Sequence, residues 1–238
     1  MLLIKAAYFI LCAICLVLIG RGLAYGLRNS SLSHSDQKRF KTRFYLALSL
    51  WIIFISALAL TGVLADFESL PPKITLVLFP PMISILIFSI CSKQLRSILK
   101  AMPIHWLLYL QSFRIVVELM LWYQHELGIT PVQMTFEGRN IDILVGITGP
   151  IMGYLYQKKG AAIRKWVVAW NFFGLALLLN ILVIAILSFP VSFRYFMNEP
   201  ANYLVAEFPF VWLPGILVTI AYSMHFFSLK QLYQKRIE

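Results

Sequence analysis

The sequence predicts an all-α polytopic membrane protein: a bundle of seven transmembrane helices, N-terminus outside and C-terminus cytoplasmic. Three observations predict it. The 238 residues are 60% hydrophobic and only 13% charged, about half the charged share of a soluble domain. The apolar residues fall in runs of membrane-spanning length, and the Lys and Arg residues alternate from one connection to the next. Disorder is excluded, because unfolded chains lack apolar residues and this one holds 18 Phe, 11 Tyr and 6 Trp.

A crossing helix needs roughly 17–25 mainly apolar residues. Residues 1–238, read as a single domain, supply seven such stretches: 2–20, 44–65, 74–90, 104–121, 141–156, 166–189 and 208–229. Within the first, the apolar run after Lys5 resembles a signal peptide, but it exceeds the usual apolar core and no small-x-small cleavage site follows it. It therefore reads as a retained helix. Cys12 and Cys15 within it form a C-x-x-C, but residues three apart on an apolar helix share one face, and they read as packing residues rather than a redox or metal pair. Polar residues 29–41 then form a loop in which His34 is solvated.

The third span holds Pro80-Pro81, the fifth Gly146, Gly149, Pro150 and Gly153, and the seventh Pro209, Pro214 and Gly215. Proline frees a carbonyl that lipid cannot satisfy. These three helices are therefore expected to line an interior or a tight interface, packed around the fourth span. Gly149 and Gly153 form a small-xxx-small face along which backbones approach closely. Spans three and seven share a faint pattern, Pro followed by Ser-Lys-Gln-Leu and by Ser-Leu-Lys-Gln-Leu, as a parallel repeat would produce. The seventh span has no mid-depth lysine for a retinal Schiff base.

Charge sets the orientation. Arg21, Arg28, Lys38, Arg39, Lys41, Arg43, then Lys93, Arg96, Lys100, then Lys158, Lys159, Arg164, Lys165, and in the tail Lys230, Lys235 and Arg236 make sixteen of the 21 Lys and Arg, all in alternate connections. The other connections carry Lys73, Arg139 and Arg194 beside seven acidic residues, Asp66, Glu68, Glu126, Glu137, Asp142, Glu199 and Glu207. Lys and Arg are retained in the cytoplasm. The net charge of +11 is thus a topology signal, and a nucleic-acid partner is excluded. The partner is the lipid bilayer, and the oligomeric state stays open.

The fourth span carries the chief anomaly: Arg114 and Glu118, one helical turn apart, with Gln111 a turn below. Charges near mid-bilayer cost at least ~2.5–3.5 kcal/mol each, so they should face inward and be paired. Either the two pin the helix as a buried ion pair, or Arg114 receives an anionic group and Glu118 takes a proton. Farther out, His125, Glu137, Arg139, Asn140 and Asp142 gather donors and acceptors at an outer mouth, where Asn140 and Asp142 can equally cap the next helix. Asn171 and Asn180 would extend a polar track inward if they face the same interior. The histidines, His105 and His225 among them, have no metal-motif spacing. Walker A, G-x-S-x-G and Rossmann patterns are absent from the sequence. No catalytic residue, metal or cofactor is assigned.

Residues 134–144, the Trp170-Asn171 pair with Asn180, and residues 208–214, together with Arg114 and Glu118, resemble an uncharacterised family of bacterial multi-pass membrane proteins. The resemblance implies a bacterial inner-membrane setting and no mechanism. The expected function is binding or transport of a small molecule, an anion being one option, entering past Arg139, His125 and Glu137 to Arg114 and Glu118. The rivals are a membrane-embedded enzyme on a lipid or quinone-like substrate, with Glu118 or His125 as acid or base, and a non-catalytic scaffold.

Overall fold

The computed structural model describes residues 1–234; Lys235 and Arg236, counted above with the basic tail, lie outside the described residues. The described residues form nine α-helices and no strand: α1 (Leu2–Arg28), α2 (His34–Leu60), α3 (Thr75–Cys91), α4 (Lys93–Ala101), α5 (Ile104–Leu110), α6 (Phe113–Glu126), α7 (Ile143–Lys159), α8 (Arg164–Leu187) and α9 (Thr219–Gln234). Four helical segments are long and apolar enough to cross a membrane, or five if the bent α3–α4 pair is one span. Large apolar side chains lie exposed along most of them, Ile10, Leu50, Ile87, Ile147 and Leu179 among them. A water-soluble monomer rarely shows continuous apolar surface on that scale.

The expected spans and the observed helices differ at three places. The polar loop expected at 29–41 shrinks to a short turn, since α1 runs to Arg28 and α2 starts at His34. Ser33 Oγ accepts from the backbone N–H of Asp36 at 3.2 Å, and a capped start of this kind needs no apolar residue. His34 is exposed, as expected. The third span ends at Ser92, where the chain bends by 80° into α4; Ser92 Oγ caps α4 by accepting from Leu95 N. Lys93, Arg96 and Lys100 share α4 with the buried Leu95, Ile98 and Leu99, the pattern of a helix lying along an apolar boundary.

The fourth span divides into α5 and α6. Gln111, Ser112, Arg114 and Ile115 donate to carbonyls three residues back instead of four, so the helix tightens at Gln111-Ser112. Residues 143–187 make a 45-residue apolar segment that is a hairpin rather than one long helix. Gly160 turns the chain at φ +53°, and Trp170 Nε1 on α8 donates to Thr148 Oγ1 on α7 at 2.8 Å.

The centre is also not where it was expected. α6 does not hold that place; α9 does, buried on every side through Ile220, Tyr222, Met224, His225, Ser228, Leu229 and Gln231. Its approach explains why. The chain enters α9 through a π-helical segment, Leu213–Val218, whose Gly215 carbonyl accepts from Trp51 Nε1 at 2.9 Å and from Thr219 Oγ1 at 3.2 Å. Trp212 Nε1 donates to Ser56 Oγ at 2.9 Å, so α2 supplies the donors and acceptors that this irregular segment needs. Trp51→Phe, with Thr219 still in place, is expected to cost about 1 kcal/mol, read as a lowered thermal midpoint of the purified protein; an unchanged midpoint would show that Thr219 suffices.

α3 departs from the interior role expected of its prolines, because Pro80 is exposed and only Val77, Leu78 and Ser89 of that helix are buried. α7 fulfils it. A Cβ on Gly149 would lie 2.8 Å from Leu108 O, and one on Gly153 2.7 Å from the Tyr109 ring, so the small-residue face packs against α5. The suggested repeat of spans three and seven is not visible in the backbone, since Ser92 breaks its helix whereas Ser228 lies inside continuous α9.

Basic residues gather at one end of the bundle, where Ser31 meets Ser97 at 2.9 Å, Gln231 Nε2 donates to Leu99 O at 2.6 Å and Lys230 Nζ donates to Ser89 O and Ser92 O beyond α3. At the other end stand two surface ion pairs, Lys73–Asp66 at 2.8 Å and Arg194–Glu199 at 2.9 Å. Lys73 and the Ser69 N–H hold the Asp66 carboxyl below the ordinary carboxylate range, and Arg194 with the Ala201 N–H does the same for Glu199.

Candidate functional site

The linker 127–142 places the site. Rather than staying at the surface it folds into the end of the bundle: Gln133, Met134, Thr135, Asn140 and Asp142 are all buried. Local turns make this possible. Asn140 N donates to Thr135 O, Asn140 Nδ2 donates to Met134 O at 3.0 Å, and a Cβ on Gly138 would lie 2.2 Å from Val132 O. Gln133 Nε2 ties the linker to Ser188 Oγ of the α8 end at 2.8 Å. Irregular backbone at such depth is tolerated only when protein surrounds it.

Asp142, delivered by this linker, is the partner of Arg114. Arg114 Nε donates to Asp142 Oδ2 at 2.6 Å and Nη2 donates to Asp142 Oδ1, a two-pronged pair whose side chains are 2% and 7% exposed. The expected Arg114–Glu118 ion pair therefore does not form: one turn of helix aligns their Cα atoms, but the guanidinium fork is matched by a carboxylate approaching from α7. Asp142 is likewise not a helix cap, since its carboxylate is committed to Arg114 and makes no capping bond to α7.

From Arg114 a chain of hydrogen bonds runs inward. Nη1 meets His225 Nε2 at 3.0 Å. A guanidinium only donates, so Nε2 accepts and the ring proton sits on Nδ1. Nδ1 then donates to Asn171 Oδ1 at 3.0 Å, and Asn171 Nδ2 donates to Ser228 Oγ at 3.0 Å and Val167 O at 2.8 Å. Four elements, α6, α7, α8 and α9, are joined through one cation. Every nitrogen of Arg114 has a partner.

Glu118 is different. Its Oε1 accepts from Asn140 Nδ2 at 2.7 Å, while Oε2 is buried with no hydrogen-bond partner, and the side chain is 2% exposed. It borders a cavity of about 70 Å³ whose other walls are apolar, apart from Arg114 and Asp142. That is room for roughly two waters or one small polar head group. Phe113, Val117, Leu178 and Pro214 are among the apolar walls.

The candidate residues thus divide into two groups. Gln111, Arg114, Glu118, Asn140, Asp142 and Asn171 come together; Gln111 Nε2 donates to Ala221 O of α9 at 3.2 Å and its Oε1 is left without a partner. His125, Glu137, Arg139 and Asn180 do not join them. His125 Nδ1 meets Thr130 O, Glu137 accepts from Trp122 Nε1, and Arg139 lies over the Phe196 ring while its carbonyl accepts from Asn180 Nδ2. His225 and Ser228, which join this cluster, were not anticipated. His225, Ser228 and Gln231 recur every third residue in an apolar run, a polar stripe that points to one buried face.

Fold and site together describe an all-helical chain with helices long and apolar enough to span a membrane and a buried, irregular polar centre. The chain belongs to the family described as Domain of unknown function (DUF8737), which matches residues 71–233. The match runs from just before α3 to the last turns of α9 and includes every residue of the buried cluster, leaving α1 and α2 outside it. No characterised protein and no solved structure matches the chain.

Proposed function

We propose that this is a one-domain protein of seven transmembrane helices in a bacterial inner membrane, N-terminus outside, which binds or transports a small molecule at Glu118. The observation that carries the reading is the unpartnered Glu118 Oε2 at an otherwise apolar cavity. The topology rests on the sixteen cations of the alternate connections and on the apolar outer faces of the helices. The crossings are α1, α2, α3, α5 with α6, α7, α8, and the π-helical segment with α9.

The cluster's chemistry shifts the expected ligand. Arg114 would have to give up Asp142 or His225 to receive an anion. Glu118 Oε2 is an acceptor awaiting a donor. The ligand is therefore a small molecule presenting an N–H or O–H group, or a cation, on an apolar body, and the exposed Glu137 and Arg139, with the half-buried His125, stand on the side from which it would arrive. Arg114 and Asp142 take the scaffold role. The enzyme reading is weaker, because the cavity lining holds two carboxylates and a guanidinium but no hydroxyl or thiol nucleophile.

Glu118→Gln tests this. The amide keeps the shape and the Asn140 contact but presents N–H where Oε2 stood. The thermal midpoint should hold or rise, while small molecules co-purifying with the wild type, identified by mass spectrometry, should fall by about tenfold or more, as loss of a hydrogen bond to a charged group implies. An unchanged set of co-purifying molecules would remove Glu118 from the binding site.

A further inference from the structure

A second cavity, which shares no lining residue with the one at Glu118, lies on the outer face of the α7–α8 hairpin. It is a groove of about 440 Å³ lined by apolar residues, chiefly Met152, Leu155, Trp166, Trp170 and Phe173. Trp166 is 72% exposed and Phe173 43%, so the groove opens sideways. The turn that closes this hairpin carries Lys158, Lys159, Arg164 and Lys165, and residues 143–187 contain no Asp or Glu. Arg164 Nε is buried there with no hydrogen-bond partner. Apolar groove, aromatic rim and a cluster of cations with no acidic residue in the hairpin itself occupy one end of that hairpin.

We propose that this groove binds an anionic phospholipid, its acyl chain lying along Trp166, Trp170 and Phe173 and its phosphate held by the basic turn 158–165. The inference rests on the membrane setting proposed above but not on the Glu118 site. Charge complementarity selects the occupant. A zwitterionic lipid would fill the groove but bring its own cation beside Lys159, Arg164, Lys165 and Lys158, the last lying over the Tyr154 ring, whereas each Lys or Arg beside an anionic surface strengthens binding roughly fivefold. Tryptophan suits the boundary position, with its ring in the acyl region and its N–H toward the head groups. Arg164, unlike the lysines, brings a planar donor set matched to phosphate oxygens.

Native mass spectrometry of the full chain in detergent, titrated with phosphatidylglycerol or phosphatidylcholine, reads the proposal directly. The wild type should retain phosphatidylglycerol in preference. Arg164→Gln/Lys165→Gln should lower that retention about thirtyfold, at roughly fivefold per charge, and lower that of phosphatidylcholine, whose phosphate is offset by its choline cation, by much less. Ala169→Phe, at an exposed residue that lines the groove, should lower retention of both lipids. This substitution is on the outer face, so it keeps the test available should the charge variant fail to fold. Lys38→Gln/Arg39→Gln, neutralising two cations elsewhere on the basic end, should change neither. Equal retention of the two lipids by the wild type, or unchanged retention in both groove variants, or an equal loss in the Lys38/Arg39 control, would overturn the assignment.

Discussion

Asp142→Ala is expected to destabilise the folded protein by about 3–5 kcal/mol, the range for removing one partner of a buried ion pair. The thermal midpoint of the purified protein in detergent should fall accordingly. The cause is the charge left behind. Arg114 is 2% exposed, and without Asp142 its guanidinium keeps only the imidazole of His225 as a strong partner. An uncompensated cation in a medium without water is costly, whether the surroundings are protein or lipid. Removing both charges should cost far less, because a pair replaced by apolar groups of similar volume is often neutral. Arg114→Met/Asp142→Leu should therefore recover most of the stability lost in the single variant. If Asp142→Ala shifts stability by under about 1 kcal/mol, water reaches Arg114 and the site is open rather than sealed.

Gly174→Ala should cost about 3 kcal/mol, at the upper end for an overpacked core. A Cβ on Gly174 would sit 2.3 Å from His225 Cε1 and 2.4 Å from Nε2, so something must move. The ring cannot swing freely, because both of its nitrogens are engaged, by Arg114 on one side and Asn171 on the other. One added methyl group should thus be felt through the whole network from α6 to α9. The double variant Gly174→Ala/His225→Ala separates steric from chain effects. With the ring gone, the glycine substitution should add less than about 0.5 kcal/mol, a coupling well above what independent sites show. Additive losses in the double variant would mean that the glycine serves the backbone of α8 rather than the histidine.

Much of this protein could be read before its fold was known, and for particular reasons. The helical segments were legible because apolar length is a local property; so were the two ends, since Lys and Arg alternate from connection to connection regardless of how helices pack. Gly149 and Gly153 announced a close approach because only glycine or another small residue permits one, and the structure shows α5 against them. Burial of Gln111, Arg114 and Glu118 was legible too, from the cost of polar groups inside an apolar chain, whereas Asn140 and Asp142, expected at an outer mouth, are buried as well. The missed features share a different cause. α4 was hidden because a short amphipathic helix among basic residues looks like a connection. His225 was missed because a span counted from 208 to 229 leaves it near a helix end, whereas the regular helix starts at Thr219 and runs to Gln234.

Arg114 shows where local reading stops. Helical spacing pairs it with Glu118, but its partner is Asp142, 28 residues away along the chain. The sequence by itself determined which segments are apolar helices, which end of the bundle is basic and which charges must be buried, because composition and periodicity act over a few residues. Only the tertiary structure decided that the linker 127–142 folds inward, that α9 is central, and that Asp142 satisfies Arg114 while one oxygen of Glu118 stays free. Those outcomes depend on which donors and acceptors meet across helices distant in sequence. Burying a charge obliges the fold to find it a partner, but helix geometry alone does not say from where that partner comes.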